Sequence, residues 1–210
     1  MLAQFEKDMI AKLDLSKWSA ADSNQKKGIM EDLFAFARNV FSLKIKLSFT
    51  MPEGFEMAYG LSNPSTGDIH INEALWSSCE SIEPLFFFLH EVRHSIQSSH
   101  PELFPQEYAL NSRYIIQFDG TGYKVENGQI TTVSLTGTQD YFTELYLASP
   151  CERDANAFAY RCLKAADAGE RIDALYHMWS PEYRYFSEEH ALDEFLKAAA
   201  EIERLAEKQL

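Results

Sequence analysis

Residues 85–96 read LFFFLHEVRHSI, and the rest of the chain is best interpreted outward from this stretch. Apolar residues occur on most sides of a helix drawn over 82–99, which is typical of a helix buried in a core. Ser81 is a candidate N-cap and Pro84 falls in the first turn, where its missing N–H does no harm. Pro101 ends the segment. We therefore predict one buried helix over 82–99.

This helix carries the pattern HExxH as His90-Glu91-Val92-Arg93-His94. Residues four apart lie on one helix face, so His90 and His94 can bind the same zinc ion. Zinc lowers the pKa of a bound water toward about 7, and Glu91 is placed to take the proton of that water. Chance alone would produce the motif in roughly two of a hundred such chains, so its setting matters. Burying two imidazoles and a carboxylate is costly without a partner, which favours a metal site.

A third protein ligand is expected, because catalytic zinc usually has three protein ligands and a water. The first candidate is Glu152, near the start of a predicted helix over 151–168 that Pro150 introduces. Asn156 lies one turn after Glu152 and is a candidate hydrogen-bond partner for a zinc-bound histidine. An acidic first turn that complements the helix dipole is the structural alternative for Glu152.

His100 is the alternative third ligand, because it completes the longer pattern HExxHxxxxxH. That pattern uses a glycine three residues after the second histidine to turn the chain back to the metal, and Gln97 stands there instead. Glu144 and Asp154 are weaker candidates, and Asp154 faces away from Glu152 on a helix.

Periodicity predicts the remaining elements. Helical spacing occurs over 1–13, 23–42, 139–148, 151–168 and 188–208, and alternation typical of strands over 44–49, 55–59, 67–72, 114–118, 121–125 and 129–133. The predicted fold is α+β, with N-terminal helices, a small mostly antiparallel sheet, the HExxH helix behind it and a helical C-terminal half. We expect a single domain, 1–210, with a helical arm (1–43), a core (44–168, insertion at about 101–140) and a C-terminal helical region (169–210).

Three segments together resemble the ImmA/IrrE-like metallopeptidases, compact relatives of the thermolysin-like gluzincins. They are the strand GDIHIN at 67–72, LHEVRH at 89–94 and ERDANAFA at 152–159, where the family has an ExxAxxFA helix. The resemblance spans 67–165 and implies a zincin-like fold, zinc bound by two histidines and a glutamate, and peptide hydrolysis. It implies His90, His94 and Glu152 as ligands and Glu91 as general base.

The segment 95–151 is longer than a compact member of that family needs, which suggests a substrate-shaping insertion. We also expect strand 67–72 at the edge of the cleft, where it can hold an extended peptide by adding it to the sheet. A peptidase needs a donor for the developing oxyanion. The sequence offers Tyr123, Tyr146, His70 and Arg93 without choosing among them.

Composition limits the partners and the compartment. The formal net charge of -13 disfavours nucleic acid, and no apolar run is long enough for a membrane span. Cys79, Cys151 and Cys162 lack metal-type pairing, and the N-terminus lacks the pattern of a signal peptide. We therefore expect a cytoplasmic protein with a peptide or protein substrate, with export by a signal-independent route left open. The alternative function is a metal-binding or inactive scaffold that acts through a protein partner.

Overall fold

The computed structural model describes residues 1–63, 66–76 and 82–208, and the elements below are those of the described residues. The helices are α1 Leu2–Lys12, α2 Leu15–Ala20, α3 Ser23–Phe41, α4 Glu83–Ser99, α5 Gln106–Arg113, α6 Gln139–Ala148, α7 Pro150–Ala165, α8 Arg171–Met178 and α9 Ala191–Glu207. The strands are β1 Leu47–Ser48, β2 Gly60–Ser62, β3 Ile69–Ile71, β4 Tyr114–Ile116, β5 Thr121–Glu126 and β6 Gln129–Ser134. The chain is α+β with a helical C-terminal half, as predicted.

Helix α4 lies at the centre of the larger hydrophobic core. Leu85, Phe86, Phe88 and Leu89 are at most 1% exposed, which confirms the predicted buried helix. Ile82 occupies the position before the helix, whereas the proposed N-cap Ser81 lies outside the described residues. Helix α7 packs along α4, and sheet strands β2 and β3 pack on it from another side.

The N-terminal helices belong to this same core. Helix α3 begins with a capping box in which Asp22 accepts from the Gln25 N–H and the Gln25 side chain accepts from the Asp22 N–H. Phe5 of α1 is 1% exposed, and its ring packs against Phe41 and against Phe158 of α7. Aromatic packing therefore joins α1 and α3 to the C-terminal half.

The first sheet has the strand order β1-β3-β2, with β1 parallel and β2 antiparallel to β3. Ile69 and Ile71 are fully buried, so the predicted strand at 67–72 is confirmed. The expectation that this strand holds an extended peptide by adding it to the sheet is wrong, because both of its edges are already paired. The outer strand on the antiparallel side is β2.

No strand forms over 55–59, contrary to the prediction. The buried side chain of Asn72 donates to the carbonyl oxygens of Glu56 (2.7 Å) and Ala58 (2.8 Å), which holds the chain in turns. Pairing with β3 starts only at Gly60. The Asn72 side chain, which is distant in sequence, thus occupies carbonyl oxygens that a strand would use for pairing.

A second, fully antiparallel sheet has the order β4-β5-β6, which corrects the expectation of one small sheet. Strands β4, β5 and β6 confirm the strands predicted over 114–118, 121–125 and 129–133. Asn127 and Gly128 both have positive φ, as a tight hairpin turn requires. This sheet packs on α6 and α9 around a smaller core that includes Phe142, Phe195 and Ile202.

His100 joins the end of α4 to the end of α3. Its Nε2 lies 2.7 Å from the carbonyl oxygen of Phe41, and its Nδ1 lies 3.0 Å from the carboxylate of Glu102. Both partners are acceptors, so only the protonated ring can donate to both. The hydrogen bond to Glu102, followed by that to Phe41, raises the pKa of His100 above its ordinary value.

We expect this raised pKa to stabilise the fold at low pH. A folded pKa above the unfolded one gives stability that is fully present below about 6.5 and is lost as pH rises through the folded pKa. The free energy of unfolding of His100→Gln, measured in urea, should therefore approach that of wild type as the pH is raised from 6 to 9. NMR titration should place the midpoint of His100 above 6.5 and lower it in Glu102→Gln; a midpoint at or below 6.5 in the wild type would contradict this.

Candidate metal centre

Helices α4 and α7 bring three potential metal ligands together. His90 and His94 lie one turn apart on α4, and their Nε2 atoms are 2.8 Å from each other. Glu152 on the first turn of α7 places one carboxylate oxygen 3.3 Å from His90 Nε2 and the other 3.2 Å from His94 Nε2. Donors on one tetrahedral zinc would be about 3.3–3.4 Å apart. His90, His94 and Glu152 can therefore hold a metal ion.

The outer nitrogen of each imidazole is held by an amide oxygen. His90 Nδ1 donates to Asn156 Oδ1 and His94 Nδ1 donates to Gln97 Oε1, both at 2.8 Å. With the proton on Nδ1, each Nε2 presents its lone pair to the shared point between the ligands. Such a second layer of hydrogen bonds fixes the tautomer and orients a metal-binding histidine.

The charges of the three potential ligands favour a bound cation. Burial alone lowers the pKa of His94, but the negative charge of Glu152 and its hydrogen bond outweigh that effect and raise the pKa to about 9. Burial alone raises the pKa of Glu152, and the two histidines reverse this and hold it well below its usual range. Two lone pairs and a carboxylate that converge in a mostly buried site attract a proton or a metal ion.

Small residues and a buried ion pair hold α7 against α4. Ala155 and Ala159 are fully buried where the two helices meet. Arg93 donates to both carboxylate oxygens of Asp154, at 2.5 and 3.0 Å. Gln97, which also holds His94, donates to the same carboxylate at 2.9 Å. Helical spacing puts Gln97 three residues after His94, but no other sequence pattern predicts this Arg93–Asp154–Gln97 network.

Glu91 lies beside the three ligands and is held by strand β2. Its carboxylate is buried and lies near the backbone N–H of Ser62. A Cβ atom on Gly60 would lie 2.9 Å from both Cγ and Oε1 of Glu91, so only glycine allows this approach. Burial raises the pKa of Glu91 against the opposing effect of His90 and His94.

Tyr146 is the one oxyanion-donor candidate of the four that reaches the ligands. Burial together with the nearby charge of Glu152 raises the pKa of its hydroxyl well above 10, so it keeps its proton. His70 is engaged with the carbonyl of Thr50 at 2.9 Å, and Arg93 is held by Asp154. Tyr123 belongs to β5 of the second sheet.

The alternative third ligands lie elsewhere. Both nitrogens of His100 face Phe41 and Glu102, as described above. The buried carboxylate of Glu144 accepts from the backbone N–H groups of Arg184 (2.7 Å) and Tyr185 (3.0 Å). With Asp154 paired to Arg93, the geometry leaves Glu152 as the carboxylate that meets both histidines.

A cavity of about 170 Å³ adjoins the ligands across Asn156. Leu147 and Trp179 form part of its wall, and the carbonyl of Trp179 accepts a hydrogen bond from Asn156 at 2.9 Å. The Trp179 ring also packs edge-on against Phe87, with ring centroids 5.5 Å apart. Phe87 lies one turn before His90, so aromatic surface borders the ligands on this side.

Comparison with known proteins leaves the site to be interpreted on its own geometry. The chain matches no family model, no curated protein and no solved structure. The resemblance to the ImmA/IrrE-like metallopeptidases thus depends on three short segments of this chain. None of the helices in the described part of the chain could cross a membrane.

We expect protein purified without chelator to carry about one zinc per chain, because two imidazole nitrogens and a carboxylate oxygen are ligands that zinc prefers. His94→Ala and Glu152→Ala should each lose most of it, because each removes one of three ligands. His100→Ala should keep it, since His100 binds Phe41 instead. Elemental analysis by mass spectrometry measures all four proteins, and zinc loss chiefly in His100→Ala would contradict the assignment.

Asn156→Ala should weaken zinc binding by about 10- to 100-fold, which is typical for loss of a histidine's outer hydrogen bond. Competition with a fluorescent chelator measures the affinity. Asn72→Ala is the matched control, because Asn72 is equally buried and bonded to backbone but touches neither histidine. Equal affinities in the two variants would show that the His90–Asn156 bond does not support the metal.

Proposed function

We propose that this chain is a zinc-dependent peptidase of the gluzincin type, related to the ImmA/IrrE-like metallopeptidases. The observation that carries the proposal is the convergence of two imidazole nitrogens and the Glu152 carboxylate, with Glu91 beside them. Two nitrogens and one carboxylate oxygen form a ligand set typical of catalytic zinc, which keeps a further position open. Bound zinc would supply Lewis acidity, which activates water and polarises a carbonyl.

Glu91 is proposed as the general base. The oxygen of the attacking water forms a bond to the carbonyl carbon while Glu91 takes its proton. Glu91 then delivers that proton to the amide nitrogen as the C–N bond breaks, which yields a carboxylic acid and an amine. The contacts with Gly60 and Ser62 hold the carboxylate beside the ligands, as proton transfer requires.

Tyr146 is proposed to stabilise the charge that develops on the carbonyl oxygen. A phenol that keeps its proton next to the ligands is a suitable donor, and such a donor contributes most when it is fixed before reaction. In the described structure the hydroxyl lies within reach of the charge of Glu152. The carbonyl oxygen of a substrate would compete for this donor as its charge grows.

Strand β2 offers a place for an extended peptide. It is the outer strand of the first sheet, and no other strand of the described residues pairs with its free side. The same strand touches Glu91 through Gly60. A substrate that adds to β2 by backbone hydrogen bonds would therefore lie next to the base, a role we had expected of strand 67–72.

The proposed setting is the cytoplasm, with a peptide or protein as substrate. Both cysteines of the described residues, Cys151 and Cys162, are free and buried. Burial raises the pKa of each thiol, to about 12 for Cys162, so these are unreactive side chains suited to a reducing compartment. The excess of acidic residues disfavours nucleic acid as a partner.

Glu91→Gln should lower peptide cleavage by at least about 100-fold and leave zinc bound, because general base catalysis contributes 10²–10⁴-fold. Zinc-loaded protein is incubated with a synthetic library of 14-residue peptides, and products are identified by mass spectrometry. Glu102→Gln, an exposed carboxylate outside the site, is the control that should cleave like wild type. Cleavage by Glu91→Gln at the wild-type rate would refute this mechanism, and a zinc-loaded wild type that cleaves nothing would favour a scaffold function.

A further inference from the structure

The turn at residues 117–120, between β4 and β5, has a fixed shape. The Gly120 N–H donates to the carbonyl of Gln117 at 3.0 Å, and the Gln117 N–H donates to the carbonyl of Thr121 at 2.8 Å. The Asp119 carboxylate accepts from the Thr121 N–H at 2.9 Å. Gly120 has φ +84°, a conformation that glycine adopts without strain. The turn therefore presents Phe118 and Asp119 at a defined position.

This turn is docked on one face of α6. A Cβ on Gly120 would lie 2.8 Å from the Phe142 ring, so glycine allows close contact there. The Phe118 ring packs edge-on against Tyr146, with centroids 6.2 Å apart and an interplanar angle of 81°. Phe142 and Tyr146 are four residues apart on α6 and share one face. Two adjacent aromatic contacts thus fix the turn to the helix.

Phe118 consequently lies one side chain away from the metal ligands. The hydroxyl at the far end of the Tyr146 ring lies close enough to Glu152 to interact with its charge. Phe142, under the same turn, is 3% exposed, whereas Phe118 is 50% exposed. Covering the exposed part of the Phe118 ring with an apolar group would be favourable.

We propose that Phe118 is a specificity-determining residue, the wall against which a large apolar side chain of the substrate packs next to the scissile bond. The favoured substrates are peptides with an aromatic or long aliphatic residue within one or two positions of the cleaved bond. This inference rests on the proposed peptidase function, and it gives the second sheet a task in that function. Apolar contact at such a subsite typically changes selectivity by 10- to 200-fold.

The first measurement compares cleavage by wild type, Phe118→Ala and Phe118→Leu in the 14-residue peptide library. We expect wild type to favour a large apolar residue at one position beside the cut. Phe118→Ala should reduce that preference over alanine by about 10-fold, with kcat/KM for alanine-containing peptides within twofold of wild type. Phe118→Leu should keep most of the preference.

Ile130→Ala is the matched control. Ile130 is 44% exposed on β6 of the same sheet, but it pairs with Val125 near the hairpin's far end, away from residues 117–120. It should leave the preference unchanged. Thermal unfolding followed by circular dichroism establishes that each variant is folded.

A binding measurement separates this inference from the catalytic proposal. In the zinc-loaded Glu91→Gln background, fluorescence anisotropy compares the binding of a labelled peptide that carries phenylalanine at the selected position with that of its alanine counterpart. If wild type cleaves no peptide, so that no position is selected, the two peptides carry phenylalanine or alanine at their centre. Phe118→Ala should weaken binding of the phenylalanine peptide about 10-fold and leave the alanine peptide unaffected.

The outcomes distinguish the two proposals. If wild type cleaves and Phe118→Ala keeps the wild-type preference, the role of Phe118 is overturned while the peptidase stands. If Phe118→Ala weakens all peptides equally, it affects the site's shape, and the selective role is again overturned. If wild type cleaves nothing, the peptidase proposal fails; peptide binding that still depends on Phe118 would support its recognition role, and no such dependence would overturn that role too.

Discussion

The convergence of His90, His94 and Glu152 is the constraint on which the rest of the site depends. It needs two helices from distant parts of the chain to cross within side-chain reach. Buried alanines on α7 allow the approach, and the Arg93–Asp154 pair joins the helices at that crossing. Replacing such a buried pair by apolar residues often costs no stability, so its orientation of α7 matters more than its strength.

Sequence predicted the elements whose information is local. The HExxH helix, the helix after Pro150 and the hairpin strands each carry their own periodicity, so they could be found without tertiary contacts. The short helices α2 and α5 have six and eight residues and were missed, because a weak apolar stripe over two turns is no clear signal. The error over 55–59 has another cause, because Asn72 determines that conformation from a distance.

Some residues of the site can likewise be predicted from local sequence patterns, whereas others depend on tertiary contacts. Spacing alone places His90, His94 and Glu91, and the helix start places Glu152 and Asn156 together. No local sequence pattern determines the strand order, and none distinguishes Tyr146 from the other three candidate oxyanion donors. In the sequence, Gln97 stands out only as the residue in place of the glycine of the HExxHxxxxxH pattern, yet its amide holds His94 and reaches α7. The bridging hydrogen bonds of the Gln97 side chain can be recognised only when α4 and α7 are known to be adjacent.

Binding and chemistry share their supports in this arrangement. Asn156 and Gln97 orient the imidazoles from one side, while Gly60 and Ser62 hold Glu91 from the other. Burying these acidic and lone-pair groups is costly by itself, and a cation held by the three ligands would offset that cost. Cation binding and fold stability are therefore coupled, because a ligand that binds only the folded chain stabilises it. The packing that orients the three ligands thus also holds Glu91 on strand β2, outside the group of ligands, which is the arrangement that the proposed general base requires.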